Sequence, residues 1–226
     1  MSRLPWMLGG GAITAYLLLR GSTPTPRPRL PGTTTPGSNL PQPPRINLEG
    51  RWVWPVPPWQ QRPPVISDGF GSPRPGRLHA GVDVMFLRAA ADAATLRAGT
   101  PNGSRGFVMP NGVSALAAAD GVVWSAGQGP RGFSVVIDHG KHHGQPVATF
   151  YTHLEKLAVT PTQRGQTKQQ VRAGQPLGII GGDPLDPQKL KHLHFELWLG
   201  GPANAIDPIA IMRGWTMTAP TTGVLV

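Results

Sequence analysis

The chain has 226 residues, room for one domain with appendages or two small ones, and no cysteine, which excludes a disulfide framework and thiolate metal ligands. Its formal net charge of +10 is uneven: through Arg62 it carries seven Arg and one Glu, and beyond that fourteen Lys and Arg against ten Asp and Glu. Such charge suits anionic membranes, wall polymers or nucleic acid, but the basic stretch lacks the interleaved aromatics of a single-strand binder, so nucleic acid is not expected as a partner.

Residues 1–21 hold the uncharged run Leu4 to Leu19, bracketed by Arg3 and Arg20. As a helix it would rise about 24 Å, short of a hydrocarbon core of roughly 30 Å. A signal-like h-region, an uncleaved membrane anchor and a helix packed in a larger assembly all fit. No small-x-small cleavage site precedes the prolines, which favours the anchor. Arg20, Arg27 and Arg29 follow the run, however, so charge bias does not favour export of the carboxyl side.

Residues 22–50 are rich in Pro, Thr and Gly; thirteen of the 27 prolines lie between Ser22 and Pro64. Such a segment cannot bury a core and reads as a disordered, partly polyproline tether. Trp52, Trp54 and Trp59 then stand among prolines, where they would staple the tether onto the domain that follows.

That domain is expected over residues 51–215, with a short tail at 216–226. It reads as mainly β, an antiparallel sheet of short strands parted by Gly- and Pro-bearing turns. The better strand candidates are Val113 to Trp124, Phe133 to Asp138, Val147 to His153, Pro176 to Ile180 and His192 to Leu199. One stretch, Leu87 to Ala98, is alanine-rich and ends at Gly99, the pattern of a helix. His139, His142 and His143 fall in a Gly- and Lys-bearing run that reads as an exposed hairpin turn with surface histidines.

Chemistry gathers at His192-Leu193-His194-Phe195-Glu196-Leu197. In a strand, Leu193, Phe195 and Leu197 would face the core, and His192, His194 and Glu196 the other side. Two imidazoles on one sheet face can converge on a metal, and a catalytic zinc site needs about three protein ligands plus an open position. His79-Ala80-Gly81-Val82-Asp83 could complete it, because i,i+4 spacing puts His79 and Asp83 on one side of a strand or a helix.

These stretches occur in a fixed order. Trp54-Pro55-Val56, Ser67-Asp68-Gly69-Phe70-Gly71 and His79-x-Gly81-x-Asp83 come first. Ala119-Asp120-Gly121-Val122, Tyr151-Thr152-His153-Leu154, Val171-Arg172-Ala173-Gly174-Gln175-Pro176 and His192-x-His194-Phe195-Glu196 follow. In that order, from roughly Trp52 to Trp215, the chain resembles the lysostaphin-like, or LytM-type, zinc endopeptidases of bacterial cell walls. The resemblance implies a duplicated-hybrid-motif type of β fold with an active-site groove on one sheet. It implies one Zn2+ per chain held by His79, Asp83 and His194, with His192 and His153 catalytic, and a peptidoglycan peptide as substrate.

Residues 86–110 look inserted relative to that family, as a lid over the groove or as decoration. The setting expected is the cell envelope or periplasm, membrane-anchored or secreted, with a virion component, assembled with virion or envelope proteins, as the alternative. Some relatives lose ligands and act as binding or activating modules. Here the five residues are all present, which favours the enzyme.

Overall fold

The computed structural model describes residues 48–89, 106–163, 166, 169–186, 190–201 and 204–220. All fall within the compact unit Pro44–Val226. The apolar run, most of the tether and the expected helix from residue 90 onward lie outside the described residues. Among the described residues, no helix is long and apolar enough to cross a membrane.

The strands are β1 (Val65–Asp68), β2 (Pro73–Arg74), β3 (Arg77–Leu78), β4 (Val82–Leu87), β5 (Phe107–Val108), β6 (Ser114–Leu116) and β7 (Gly121–Gly129). They continue as β8 (Gly132–His142), β9 (Gln145–Leu157), β10 (Gln170–Val171), β11 (Pro176–Ile180), β12 (Leu193–Leu199) and β13 (Ala205–Ile206), before one short helix, α1 (Ile209–Met212). The main sheet runs β1-β4-β12-β9-β8-β7-β10, antiparallel throughout. β2 and β3 form a separate hairpin. The expectation of a mainly β, antiparallel domain holds.

Strand parity sorts the side chains as alternation requires. Leu193, Phe195 and Leu197 are at most 1% exposed and pack with Val82, Val84, Tyr151 and Leu154 in the core. The opposite face of β12 carries His194 and Glu196, with His192 one residue before the strand begins. β12 lies between β4 and β9: His194 pairs with Asp83 on one side and Thr152 on the other. Register alone therefore brings the two distant motifs together.

Two expectations need correction. Val113 to Trp124 is not one strand: β6 stops at Leu116 and β7 starts at Gly121. Between them the Asp120 carboxylate accepts the Ala173 N–H at 2.7 Å and Ala117 exchanges backbone bonds with Gly174 and Gln175, which turns the chain out of the ladder. His139 is also not a free surface group. Its ring lies 4.9 Å from that of Trp52, with Nδ1 2.8 Å from the Asp120 carbonyl and Nε2 2.8 Å from Thr149 Oγ1. Thr149 Oγ1 is in turn 3.0 Å from the Tyr151 hydroxyl, which receives the Ala118 N–H at 2.8 Å. Burial lowers the His139 pKa to about 4, and it raises that of Tyr151. With His139 neutral, each proton has one place: Tyr151 donates to Thr149, Thr149 to Nε2, and Nδ1–H to Asp120.

The segment expected to be inserted, residues 86–110, begins as a paired stem. Phe86 faces Val108, Leu87 faces Phe107, and Arg88 N–H donates to the Gly106 carbonyl at 3.1 Å. Residues 90–105, on which the expected lid falls, lie outside the described residues. At the other end of the domain Trp52 stacks on Trp215, ring centres 5.0 Å apart, and Val53 forms a parallel bridge with Thr216.

Candidate active site

Three side chains meet where β4 and β12 pair. His79 Nε2 is 2.9 Å from His194 Nδ1 and 3.1 Å from Asp83 Oδ1, and His194 Nδ1 is 3.2 Å from the same oxygen. Donors about 2.05 Å from a tetrahedral zinc would stand roughly 3.3 Å apart, so the spacing fits a metal with little rearrangement. His79, Asp83 and His194 are also the residues whose ligand atoms group within 4.8 Å of one another among the described residues.

Each imidazole has its other nitrogen tied down. His79 Nδ1–H donates to the Gly69 carbonyl at 2.8 Å, which leaves Nε2 for the metal. His194 Nε2–H donates to Glu196 Oε1 at 2.8 Å, which leaves Nδ1. Such partners fix tautomer and ring direction and raise ligand basicity. Burial lowers the His194 pKa, but bonds to Asp83 and Glu196 outweigh it and the net direction is up. Strand parity already puts Glu196 on the same face as His194. Gly69 escaped sequence reading, because a backbone carbonyl has no residue-type signature.

Asp83 is fixed by more than its place in β4. Arg74 Nη2 lies 3.0 Å from Asp83 Oδ2 and 2.6 Å from Asp68 Oδ2, so one guanidinium spans the carboxylates of β1 and β4. Nothing in the spacing of Arg74 announced this. Gly81 is required by close approach: a Cβ there would sit 2.3 Å from the Phe195 carbonyl oxygen and 2.8 Å from Glu196 Cγ. Only glycine lets the His79 segment lie against β12 at this point.

His192 and His153 lie beside the triad. Their ring centres are 4.5 Å apart, and that of His153 is 6.1 Å from His194. His192 Nδ1–H donates to the Leu190 carbonyl at 2.6 Å, and its Nε2 is 3.6 Å from Asp83 Oδ1. His153 Nδ1–H donates to the Arg131 carbonyl at 3.1 Å. Both rings therefore carry their proton on Nδ1 when neutral. Burial first, then the neighbouring His192, lower the His153 pKa to about 3. His153 also has φ +66°, a left-handed conformation rare for a side chain of this size in a strand. Strain of this kind is held only where its surroundings enforce it, and it collects at functional sites. The structure brings all five residues expected from sequence, His79, Asp83, His153, His192 and His194, to one place.

The place is a cleft of about 490 Å³, lined by His79, His153 and His194 together with Arg77, Arg131, Phe150 and Glu196. Arg131 is anchored by an ion pair with the buried Asp183, whose carboxylate also receives the Leu185 N–H. For Asp183, burial opposes ionisation, yet that N–H and the positive charge around it hold the pKa below the usual value.

Residues 101–208 match the model of Peptidase family M23. The match contains His153, His192 and His194; His79 and Asp83 precede it. Over 110 residues the chain is 36% identical to the peptidoglycan DD-endopeptidase ShyA of Vibrio cholerae, an alignment covering 47% of this chain and 22% of ShyA. Among solved structures it is similar to the catalytic domain of the antimicrobial peptidase lysostaphin from Staphylococcus simulans. That likeness has a TM-score of 0.46 at 22% identity, over 68% of this chain and 93% of the other. A zinc-containing peptidase from Vibrio cholerae gives 0.46 at 23% identity, over 74% of this chain and 41% of that one.

Proposed function

We propose that this chain is a zinc-dependent endopeptidase that hydrolyses peptide bonds in bacterial peptidoglycan, acting in the cell envelope. The observation that carries the reading is the convergence of His79 Nε2, Asp83 Oδ1 and His194 Nδ1 at 2.9–3.2 Å, beside a cleft that His153 also lines, with the His192 ring packed against that of His153. His79, Asp83 and His194 would hold the metal; His153 and His192 are left for proton transfer. When bound, zinc would supply a water of pKa roughly 7 and an electrophile for the scissile carbonyl.

The side chains do the rest. Asp83 brings one negative charge to the donor set, which lowers the positive charge left at the centre. His192, its Nδ1–H held by Leu190, presents Nε2 to take the proton of the attacking water and return it to the leaving amine. His153, held the same way by Arg131 and kept neutral by burial, would face the carbonyl oxygen, where the negative charge that builds draws a proton from solvent onto Nε2 and lets the ring donate to it. Since the two rings share one hydrogen-bonding pattern, the rates of the single variants decide which does which. The intact set of five favours an enzyme over a binding or activating module.

The test is digestion of purified peptidoglycans of different cross-link type, with new amino termini identified by mass spectrometry, before and after zinc removal by a chelator and re-addition. New amino termini that vanish without zinc and return with it support the proposal. A chain that binds zinc but releases no amino termini from any wall is a binding module instead.

A further inference from the structure

The sheet face that carries the cleft continues past it. Paired residues of antiparallel strands share a face, so register gives the surface row by row. His194 stands beside Thr152, then Glu196 beside Phe150 and Val136, then Trp198 beside Ala148 and Asp138. In the third row the small Ala148 lies between an indole and a carboxylate that are two strand spacings, roughly 10 Å, apart. A second dip of about 170 Å³ opens there, lined by Trp198, Ala148, Val136, Asp138 and Trp124. Trp124 sits where the β7–β8 register shifts between Val123 and Ser125, a bulge of the kind that re-aims a side chain.

The dip is tied to the metal-ligand set. Glu196 accepts from His194 Nε2 through one oxygen and from Trp198 Nε1 through the other, at 2.8 and 2.6 Å. Phe150 stacks on Trp198, ring centres 5.6 Å apart with planes 15° from parallel, and meets His194 edge-on at 6.3 Å. The Trp198 indole is therefore held before any ligand arrives, which cuts the ordering cost of binding. Along β12, Trp198 lies four residues, roughly 13 Å, from His194.

We propose that this dip is a saccharide subsite that holds a sugar ring of the glycan strand while the attached peptide lies in the cleft. The assignment rests on the peptidoglycan reading above. A pyranose has an apolar face of C–H groups, which packs on an indole, and a rim of hydroxyls, which a carboxylate accepts. Asp138 uses Oδ1 to receive the Gly140 N–H at 2.8 Å, and its other oxygen is available to a ligand. A purely apolar ligand would leave that carboxylate without a role. An extended peptide would find an alanine floor between two tryptophans, and the β8, β9 and β12 backbones that carry the floor are already paired on both sides.

The test titrates the full chain with the tetramer of N-acetylglucosamine, following tryptophan fluorescence, and runs parallel kinetics on a glycan-linked muropeptide and the same peptide without sugar. Saturable binding is expected, and Ala148→Leu, which fills the floor, should abolish it while bound zinc per chain stays at the wild-type level. Trp198→Ala should weaken it roughly tenfold, the scale of one lost aromatic contact, and lower the kcat/KM ratio of the two substrates in the same proportion. No saturable binding, unaltered binding by Ala148→Leu, or displacement of the tetramer by sugar-free peptide would overturn the subsite. Saturable binding without cleavage of either substrate keeps the subsite and removes the peptidase reading.

Discussion

At the scale of single residues, the proposed site separates groups that would hold the metal from groups that would move protons. Replacing His194 by Ala removes one donor of three, so bound zinc and turnover should fall together. His192→Ala leaves His79, Asp83 and His194 whole; zinc should stay, and the rate should drop by about 10²–10⁴-fold, the usual worth of general acid–base catalysis. His153→Ala should likewise keep its zinc and lose roughly 10²–10³-fold. Elemental analysis after dialysis, alongside turnover of a wall peptide, reads both; loss of zinc from His192→Ala would reverse the role assignment. Glu196→Gln tests the outer partner. The amide can still accept one bond, but the charge that supports His194 is gone, and zinc affinity should weaken about 10–100-fold in a competition titration.

Elements decide whether those residues ever meet. β4 and β12 are distant in the chain, and the approach of the His79 segment to β12 depends on Gly81, with no space for a methyl group beside the Phe195 carbonyl. Gly81→Ala should therefore lower the melting temperature and the zinc content together, by pushing His79 away from its partners. A variant of unchanged Tm and full zinc would show that the backbone yields there at little cost. Shortening residues 90–105 while keeping the Phe86–Val108 stem tests the lid. If the segment covers the groove, KM for cross-linked wall fragments should change and bound zinc should not. Kinetics indistinguishable from wild type would make it decoration.

Sequence parity made much of this level legible. The alternation of Leu193, Phe195 and Leu197 against His194 and Glu196 needed only the period of a strand, and the core confirms it. What escaped was carried by backbone or by long-range pairing: the Gly69 carbonyl behind His79, Arg74 bridging Asp68 and Asp83, and the break at Ala117–Asp120. The last depends on an acceptor for Ala173, some fifty positions away in the chain. His139 was misread because a Gly- and Lys-bearing run looks like a turn, while its neighbours in space, Trp52 and Thr149, are not its neighbours in sequence.

For the molecule as a whole, His139 makes stability depend on pH. Its folded pKa of about 4 lies below the ordinary 6.5, so between those values the unfolded chain binds the extra proton and the folded one does not. The contribution is full above pH 6.5 and is lost as pH falls toward 4, at a slope of at most about 1.4 kcal/mol per pH unit. Comparing urea unfolding of wild type and His139→Gln from pH 7.5 to 4.5 should give two curves that converge as the pH falls. Parallel curves would remove the group from the account.

The clasp at Trp52 and Thr216 has a mechanical side. Two segments bridged in parallel, one leading into the domain and one leading out, are drawn in opposite directions along their own axis when the chain is pulled at both ends. Trp54 N–H to the Thr216 carbonyl at 3.0 Å and Thr216 N–H to the Trp52 carbonyl at 3.1 Å would then bear load side by side, in shear, instead of opening one after the other like a zipper. A domain hauled against a rigid polymer mesh by its flanking segments would pass that force through the clasp first, with β4 and β12 spared until it slips.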